Sequence, residues 1–259
     1  MRSLPFVFAL AALATACEKS AIVWSDPAPI AQAPGATRLV VDSAGHARFV
    51  ADSIVLPSVP AAPGLCTASV RSARGTSRLF VGWWSVRRDS SAVLYTAAST
   101  DGGTTWGNPS PVDTSDISTR GCDRPPPSLA TVGDDVYVAY SIHASDGISV
   151  YFAHFMGNML HSPVAVIYGE RLVPTALAAE GMRVALAYEE PNGARQRVDL
   201  ALSNTQGHIF ETHTTATRED DVGTDPAVAL AGRTLAVSWR ARASDDSTGA
   251  RVVRVGTIQ

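Results

Sequence analysis

Lysine is almost absent. Lys19 is the only one, so the positive charge is carried by arginine, and the formal net charge is −3. No basic patch of the kind that phosphate backbones require is present, which excludes nucleic acid as an expected partner. Long hydrophobic runs are missing as well: the apolar stretch from Leu4 to Ala16 is too short to span a bilayer. No segment shows a sustained helical period, which argues against bundle and doubly wound folds. Phosphate-cradling glycine loops are absent. The six histidines, His154 and His161 among them, are scattered without metal-ligand spacing, and His154 is placed in a turn. No metal and no cofactor is therefore expected. The acidic run Asp220-Asp221-Val-Gly-Thr-Asp225 has oxygen ligands for calcium but not the spacing of a dedicated loop, and reads as a solvated turn.

What is present begins with an address. Met1-Arg2-Ser3 forms a short basic region, Leu4 to Ala16 an apolar one, and Ala14-Thr15-Ala16 precedes Cys17. Residues 1–16 read as a cleaved export signal, whose loss takes the net charge from −3 to −4 by removing Arg2. A cysteine directly after small residues resembles a bacterial lipobox, although Ala14 stands where leucine is usual and Leu13 lies one position early. The resemblance implies lipidation of Cys17 and a membrane partner through that anchor; ordinary secretion with a spare cysteine is the alternative. Glu18 in place of aspartate implies outer-membrane or surface display. Residues 17–36, rich in alanine and proline from about Ser20, are expected to be a lipidated tether of low structure, with one domain over 37–259. Cys66 and Cys122 remain as an even pair in an oxidising compartment, hence a disulfide candidate, with two buried free thiols as the alternative.

The domain repeats itself. Pro127 to Tyr140, Pro174 to Tyr188 and Pro226 to Trp239 each read as a strand of small residues, a glycine turn and a second strand ending in an aromatic. Cys66 to Trp84 is a looser copy. A second hairpin follows each, giving a period near 50 residues and four strands per unit, which is the pattern of radially arranged antiparallel blades. Four or five such blades fit the length. The last unit ends on a third strand, Arg251 to Ile258, and lacks its fourth; an N-terminal strand would complete it and hide its edge. Trp83 and Trp84 are adjacent on a strand and so face opposite sides; one is placed in the core, the other between blades or on a sugar-stacking surface.

One turn carries a family signature. Ser99-Thr-Asp101-Gly-Gly103-Thr-Thr105-Trp106 follows an alternating strand, and Ser-x-Asp-x-Gly-x-Thr-Trp resembles the Asp-box of sialidase-like β-propellers. The box folds a hairpin: Asp101 accepts backbone hydrogen bonds, the glycines allow the turn, and Trp106 packs. Ser203 to Phe210 keeps serine, glycine and an aromatic at the same spacing but has Thr205 in place of the aspartate. The resemblance implies an all-β propeller. It does not name a reaction, because the box lies away from any substrate.

Sialidases grip a carboxylate with three arginines and use a Tyr–Glu nucleophile pair, an arrangement that bidentate guanidinium geometry suits. The family's Phe/Tyr-Arg-Ile-Pro motif is absent here, and the chain is shorter than a six-bladed catalytic domain. The nearest relics are Asp123-Arg124-Pro125 and Glu170-Arg171-Leu-Val-Pro174, with Arg218 before Asp225-Pro226 as a third. Propeller topology would set Arg124, Arg171, Arg218, Asp123, Glu170 and Asp225 around the channel mouth. Arg87, Arg88, His143, Asp146, Glu189, Glu190, Arg195, Arg240 and Asp245 would lie in adjoining loops. Tyr168 and Tyr188 stand near Glu170 and Glu189 without thereby forming a pair. Three functions are compatible: a non-catalytic binding module for a glycan or envelope protein, a reduced glycoside hydrolase acting on an acidic sugar, and an envelope scaffold. Loops also collect charge simply because they meet water.

Overall fold

A computed structural model describes residues 21–52, 54–157, 159–193, 195–242 and 249–259. The chain opens with β1 (Ile22–Trp24) and β2 (Ala28–Pro29), then a hairpin of β3 (Ala36–Val41) and β4 (Ala47–Ala51). The first four-stranded sheet runs β5 (Arg71–Arg74), β6 (Leu79–Val86), β7 (Ala92–Ser99) and β8 (Ser110–Asp113). The second runs β9 (Ser128–Val132), β10 (Asp135–Ala144), β11 (Gly147–Met156) and β12 (Met159–Gly169). The third runs β13 (Thr175–Glu180), β14 (Arg183–Glu189), β15 (Val198–Ser203) and β16 (Thr212–Thr215). In the fourth, β17 (Val222–Ala231), β18 (Thr234–Arg242) and β19 (Arg251–Ile258) are joined by β1, and β2 pairs with β19 further along. The inner strands β3, β5, β9, β13 and β17 line a central channel of about 550 Å³. The fold is an all-β propeller with four full blades and the β3–β4 hairpin as a fifth, partial one. No helix of the described residues is long and apolar enough to cross a membrane.

The second strand of each blade is buried on both faces, because a blade has a neighbour on each side. Alternate residues therefore enter different cores. On β10, Val136, Val138, Tyr140 and Ile142 pack with Phe80 and Trp84 of the first blade, while Tyr137 and Ala139 pack with Val184, Leu186 and Tyr188 of the third. On β14 the intervening Ala185 and Ala187 turn the other way, onto Leu235, Val237 and Trp239. The adjacent tryptophans obey the same rule. Trp84 joins the core shared with the second blade; Trp83 faces the opposite side and stacks on Tyr95 at 5.9 Å. Both are fully buried, so neither offers a sugar-stacking surface.

The face that Trp83 presents would be left bare by a two-stranded neighbour. The segment leading into β5 covers it: Leu56, Ala62 and Leu65 pack on Val81, Trp83 and Ala97. Ser58 Oγ donates to the Gly103 carbonyl at 2.7 Å, and Trp106 Nε1 donates to Ser58 Oγ at 3.0 Å. The turn that supplies Gly103 and Trp106 is closed by its own side chains. Gly103 N–H donates to Ser99 Oγ at 2.8 Å, and Thr105 N–H to Asp101 Oδ1 at 2.9 Å. The Thr105 hydroxyl, which donates to Asp101 Oδ2 at 2.6 Å, then the Thr105 N–H and the Ser99 hydroxyl hold the Asp101 carboxyl well below the usual carboxylate range. The relic turn is built alike, with Gly207 N–H on Ser203 Oγ at 3.0 Å and Ile209 N–H on Thr205 Oγ1 at 3.1 Å. A threonine hydroxyl thus takes the acceptor position of the aspartate.

Closure comes from both ends of the chain. Ile22 lies opposite Ile258 and Trp24 opposite Gly256, so the N-terminal strand completes the last blade. Part of the expected tether, residues 22–24 and 28–29, is therefore blade structure, because the open edge of β19 offers a full row of backbone hydrogen bonds. Cys17 lies outside the described residues. Cys66 and Cys122, 56 residues apart, are bonded with Cα atoms 5.5 Å apart, tying the loop before β5 to the loop before β9. A loop of that length constrains the unfolded chain by about 4 kcal/mol in the entropic account. The double variant Cys66→Ser/Cys122→Ser is expected to lose about 2–4 kcal/mol of unfolding free energy. Denaturant titration checks this, and the gap between the two proteins should vanish in reductant.

Candidate functional site

The loops that lead into inner strands and those that join the two hairpins of a blade share one face and touch there. Ile117 N–H donates to the His143 carbonyl at 2.8 Å, Glu170 N–H to the Pro191 carbonyl at 3.2 Å, and Gly223 N–H to the Gln196 carbonyl at 2.9 Å. Arg87 donates to the Thr114 carbonyl at 2.7 Å across the same face. The charged loop residues therefore lie on one side, but they do not converge on one point.

Arg124, expected at the channel mouth, is instead enclosed in an ion pair. Its side chain is fully buried against an equally buried Asp116, Nη1 to Oδ2 at 2.7 Å, and it also donates Nε to the Gly121 carbonyl at 2.7 Å. The guanidinium sits over the Trp84 ring at 5.4 Å. Asp116 in turn accepts from Ala92 N–H at 2.9 Å. An arginine so enclosed cannot meet a ligand; it braces the loop before β9. Asp123 pairs with Arg120 at 3.2 Å on the surface instead. Arg218 is drawn to Asp26, 2.6 Å away beside the N-terminal strands, and Arg195 to Asp220 at 3.4 Å. The three relic arginines answer three different partners, Arg124 the Asp116 carboxylate, Arg218 that of Asp26 and Arg171 the Glu190 carbonyl, and form no common clamp.

Asp225 is the centre of a second closed network. Its carboxylate accepts from Arg240 Nε at 3.0 Å and from Arg251 Nη2, and its N–H donates to Glu189 Oε1 at 3.0 Å. It sits at φ +56° where the β17–β18 register shifts between Thr224 and Ala227. A non-glycine residue there is held by its surroundings. Here they are two arginines, one of them stacked 4.8 Å over Phe49. Asp146 accepts the hydroxyl of Tyr168 at 2.9 Å, and Tyr188 is buried, its phenol pushed up by that burial. Neither tyrosine is paired with a glutamate as a nucleophile. Arg88 is exposed and Asp245 lies outside the described residues.

On this face a hollow of about 430 Å³ opens at the β10–β11 end of the second blade, between the loops that lead into the second and third blades. Arg120, His143, Glu170 and Arg171 line it together with Ser118, Thr119, Ile117, Ile148 and Leu172. Arg171 is half-buried and anchored by Nη2 to the Glu190 carbonyl at 2.5 Å. Two guanidiniums, one carboxylate and an imidazole beside isoleucine and leucine make an amphipathic recess. Such a surface orients a polar ligand by charge while covering its apolar side. Arg171, Glu170 and His143 were legible from the sequence; Arg120 and the isoleucines were not, because only the packing of three loops assembles them.

The histidines are a further correction. His154 lies within β11, not in a turn, and is buried; His161 is its cross-strand partner on β12, and His208 comes from the third blade's relic turn. Their ring centroids are 4.4, 4.9 and 5.3 Å apart. Burial, then His161 and His208, lower His154 to about 4, so it is neutral at physiological pH. The Nε2 atoms of His154 and His161 are buried without a hydrogen-bond partner among the described residues. Leaving such an atom unsatisfied costs about 1–3 kcal/mol. The spacing 154, 161, 208 resembles no ligand motif, since strand pairing and blade stacking create the cluster.

The ion pairs separate by burial. Arg124→Ala is expected to destabilise the protein by about 3–5 kcal/mol, because it strands a buried Asp116. Arg218→Ala, whose pair is exposed, should cost no more than about 1 kcal/mol. Thermal unfolding of both variants reads the difference; equal melting temperatures would contradict it.

No protein-family model matches the chain, and no curated protein sequence matches it. Among solved structures, Trypanosoma rangeli sialidase in complex with 2,3-difluorosialic acid (covalent intermediate) is similar, with a TM-score of 0.50 and 12% identity over 84% of this chain and 39% of that one. The same sialidase in complex with the inhibitor DANA gives 0.50 and 12% over 80% and 38%. This chain thus spans about two fifths of the sialidase's length. At that identity the likeness is one of fold alone, and the fold is a β-propeller.

Proposed function

We propose that this chain is an exported, lipid-anchored binding propeller whose loop face takes a glycan, and that the glycan carries a carboxylate. The hollow at Arg120 and Arg171 carries the reading: two guanidiniums beside apolar side chains suit an acidic sugar. Binding is favoured over hydrolysis because Arg124 is enclosed with Asp116, and Tyr168 is engaged by Asp146. A protein partner presenting an acidic side chain would use the same chemistry. The anchor rests on the Cys17 sequence context, and the Cys66–Cys122 bond accords with an oxidising compartment.

A glycan array followed by calorimetry tests the binding reading. Acidic glycans should bind, and Arg120→Ala and Arg171→Ala should each weaken them about 10- to 100-fold, the worth of one charge-assisted hydrogen bond. Exclusive binding of neutral glycans, or unchanged affinity in both variants, would sink the proposal. Turnover of a sialoside by the same protein would replace it with a compact hydrolase. For the anchor, the protein from its native host should partition into detergent with a diacylated Cys17 by mass spectrometry. Cys17→Ser should move it to the aqueous phase.

A further inference from the structure

The side of the ring opposite the loop hollow carries the three imidazoles. Two come from paired strands of the second blade, and the third from the turn between β15 and β16 of the next blade. That turn is stiff. Gly207 N–H and Thr205 N–H both donate to Ser203 Oγ, at 3.0 and 3.1 Å, and His208 N–H donates to the Thr205 carbonyl at 3.1 Å. It is also pressed onto the neighbour: a Cβ on Gly207, at φ +86°, would stand 2.1 Å from the Phe152 ring. Only glycine lets the turn deliver His208 to its place over His154.

We propose that His154, His161 and His208 form a binding site for one borderline divalent cation, with Zn²⁺ as the best fit, that pins the second blade to the third. One ring nitrogen from each residue lies within 4.8 Å of the others. Tetrahedral zinc with imidazole ligands sets nitrogens about 3.4 Å apart. Small rotations of half-buried His161 and exposed His208 would close that gap around His154, which strand packing fixes. The unpartnered Nε2 atoms of His154 and His161 are the second, independent sign of a missing partner. An all-nitrogen set selects zinc, nickel or copper and disfavours calcium and magnesium, which take oxygen ligands. The exposed flank of His208 gives the ion a way in and leaves room for a water as fourth ligand.

The test uses the untagged full chain, stripped with chelator and desalted, titrated with Zn²⁺ by calorimetry and followed by its melting temperature. One equivalent should bind saturably and raise the melting temperature. His208→Ala, exposed and so harmless to the metal-free fold, should weaken binding at least about tenfold and abolish the thermal gain. His161→Ala should do the same, and His213→Ala, on a neighbouring strand, should do neither. Cobalt substitution should give a visible absorption band in the wild type that His208→Ala lacks. No saturable binding, or full binding by His208→Ala, would overturn the site. Glycan binding at the loop hollow is measured separately and is not at stake in this result.

Discussion

A blade in this ring has no solvent face. Strands such as β10 and β14 are buried on both sides, so each sheet is stable only between two others, and the series must close on itself. Closure here depends on three residues, Ile22–Trp24, laying their backbone along β19. That pairing covers the edge of β19 that the last sheet would otherwise leave open. The same demand acts where the ring is weakest. The β3–β4 hairpin is only two strands wide, and the first blade would expose Trp83 and Val81 if the segment carrying Leu56, Ala62 and Leu65 did not cover them. Ring closure therefore accounts for the N-terminal strands and for the course of the segment into β5.

Constraint of this kind sorts the charges. Loops that bind neighbouring blades together must bury some polar groups, and burial is tolerated when each charge is paired and hydrogen-bonded. Arg124 with Asp116 is such a solution, while Asp225, about half exposed, is held by Arg240 and by the buried Arg251, so that Arg124 and Asp225, both expected at the channel mouth, are engaged by the framework. The disulfide acts in the same place, on the loop that presents Arg124. The charges that line the open recess, partly walled by isoleucine, are Arg120, Glu170, His143 and Arg171, with Arg120 also paired to surface Asp123 and Arg171 anchored on the Glu190 carbonyl.

The hairpin turns on the other side show how a folding device becomes a positioning device. Asp101 and Thr205 accept equivalent backbone hydrogen bonds, so the turn survives the exchange of a carboxylate for a hydroxyl. In the first blade the turn places Trp106 against Ser58; in the third it places His208 against buried His154 and half-buried His161. Rigid turns on packed sheets hold side chains more accurately than long loops do, which is why a cluster spanning two blades can arise there.

Much of the architecture was legible in residue order. The repeated strand–glycine–strand pattern ending in Tyr140, Tyr188 and Trp239 marks the blades, alternation assigns Trp83 and Trp84 to opposite sides, and the unmatched final strand calls for an N-terminal partner. These are local patterns, and period and turn chemistry suffice to read them. Partnership between distant side chains is not local. Whether Arg124 faces a ligand or Asp116, whether residues 22–29 are tether or strand, and whether His154, His161 and His208 are scattered or together depend on which blades touch and in what register. Sequence alone determined the repeating hairpins and their two-sided apolar strands. Tertiary structure decided which charges are buried in pairs, which line the loop recess, and that three histidines meet, because only closing the ring sets the distances between blades.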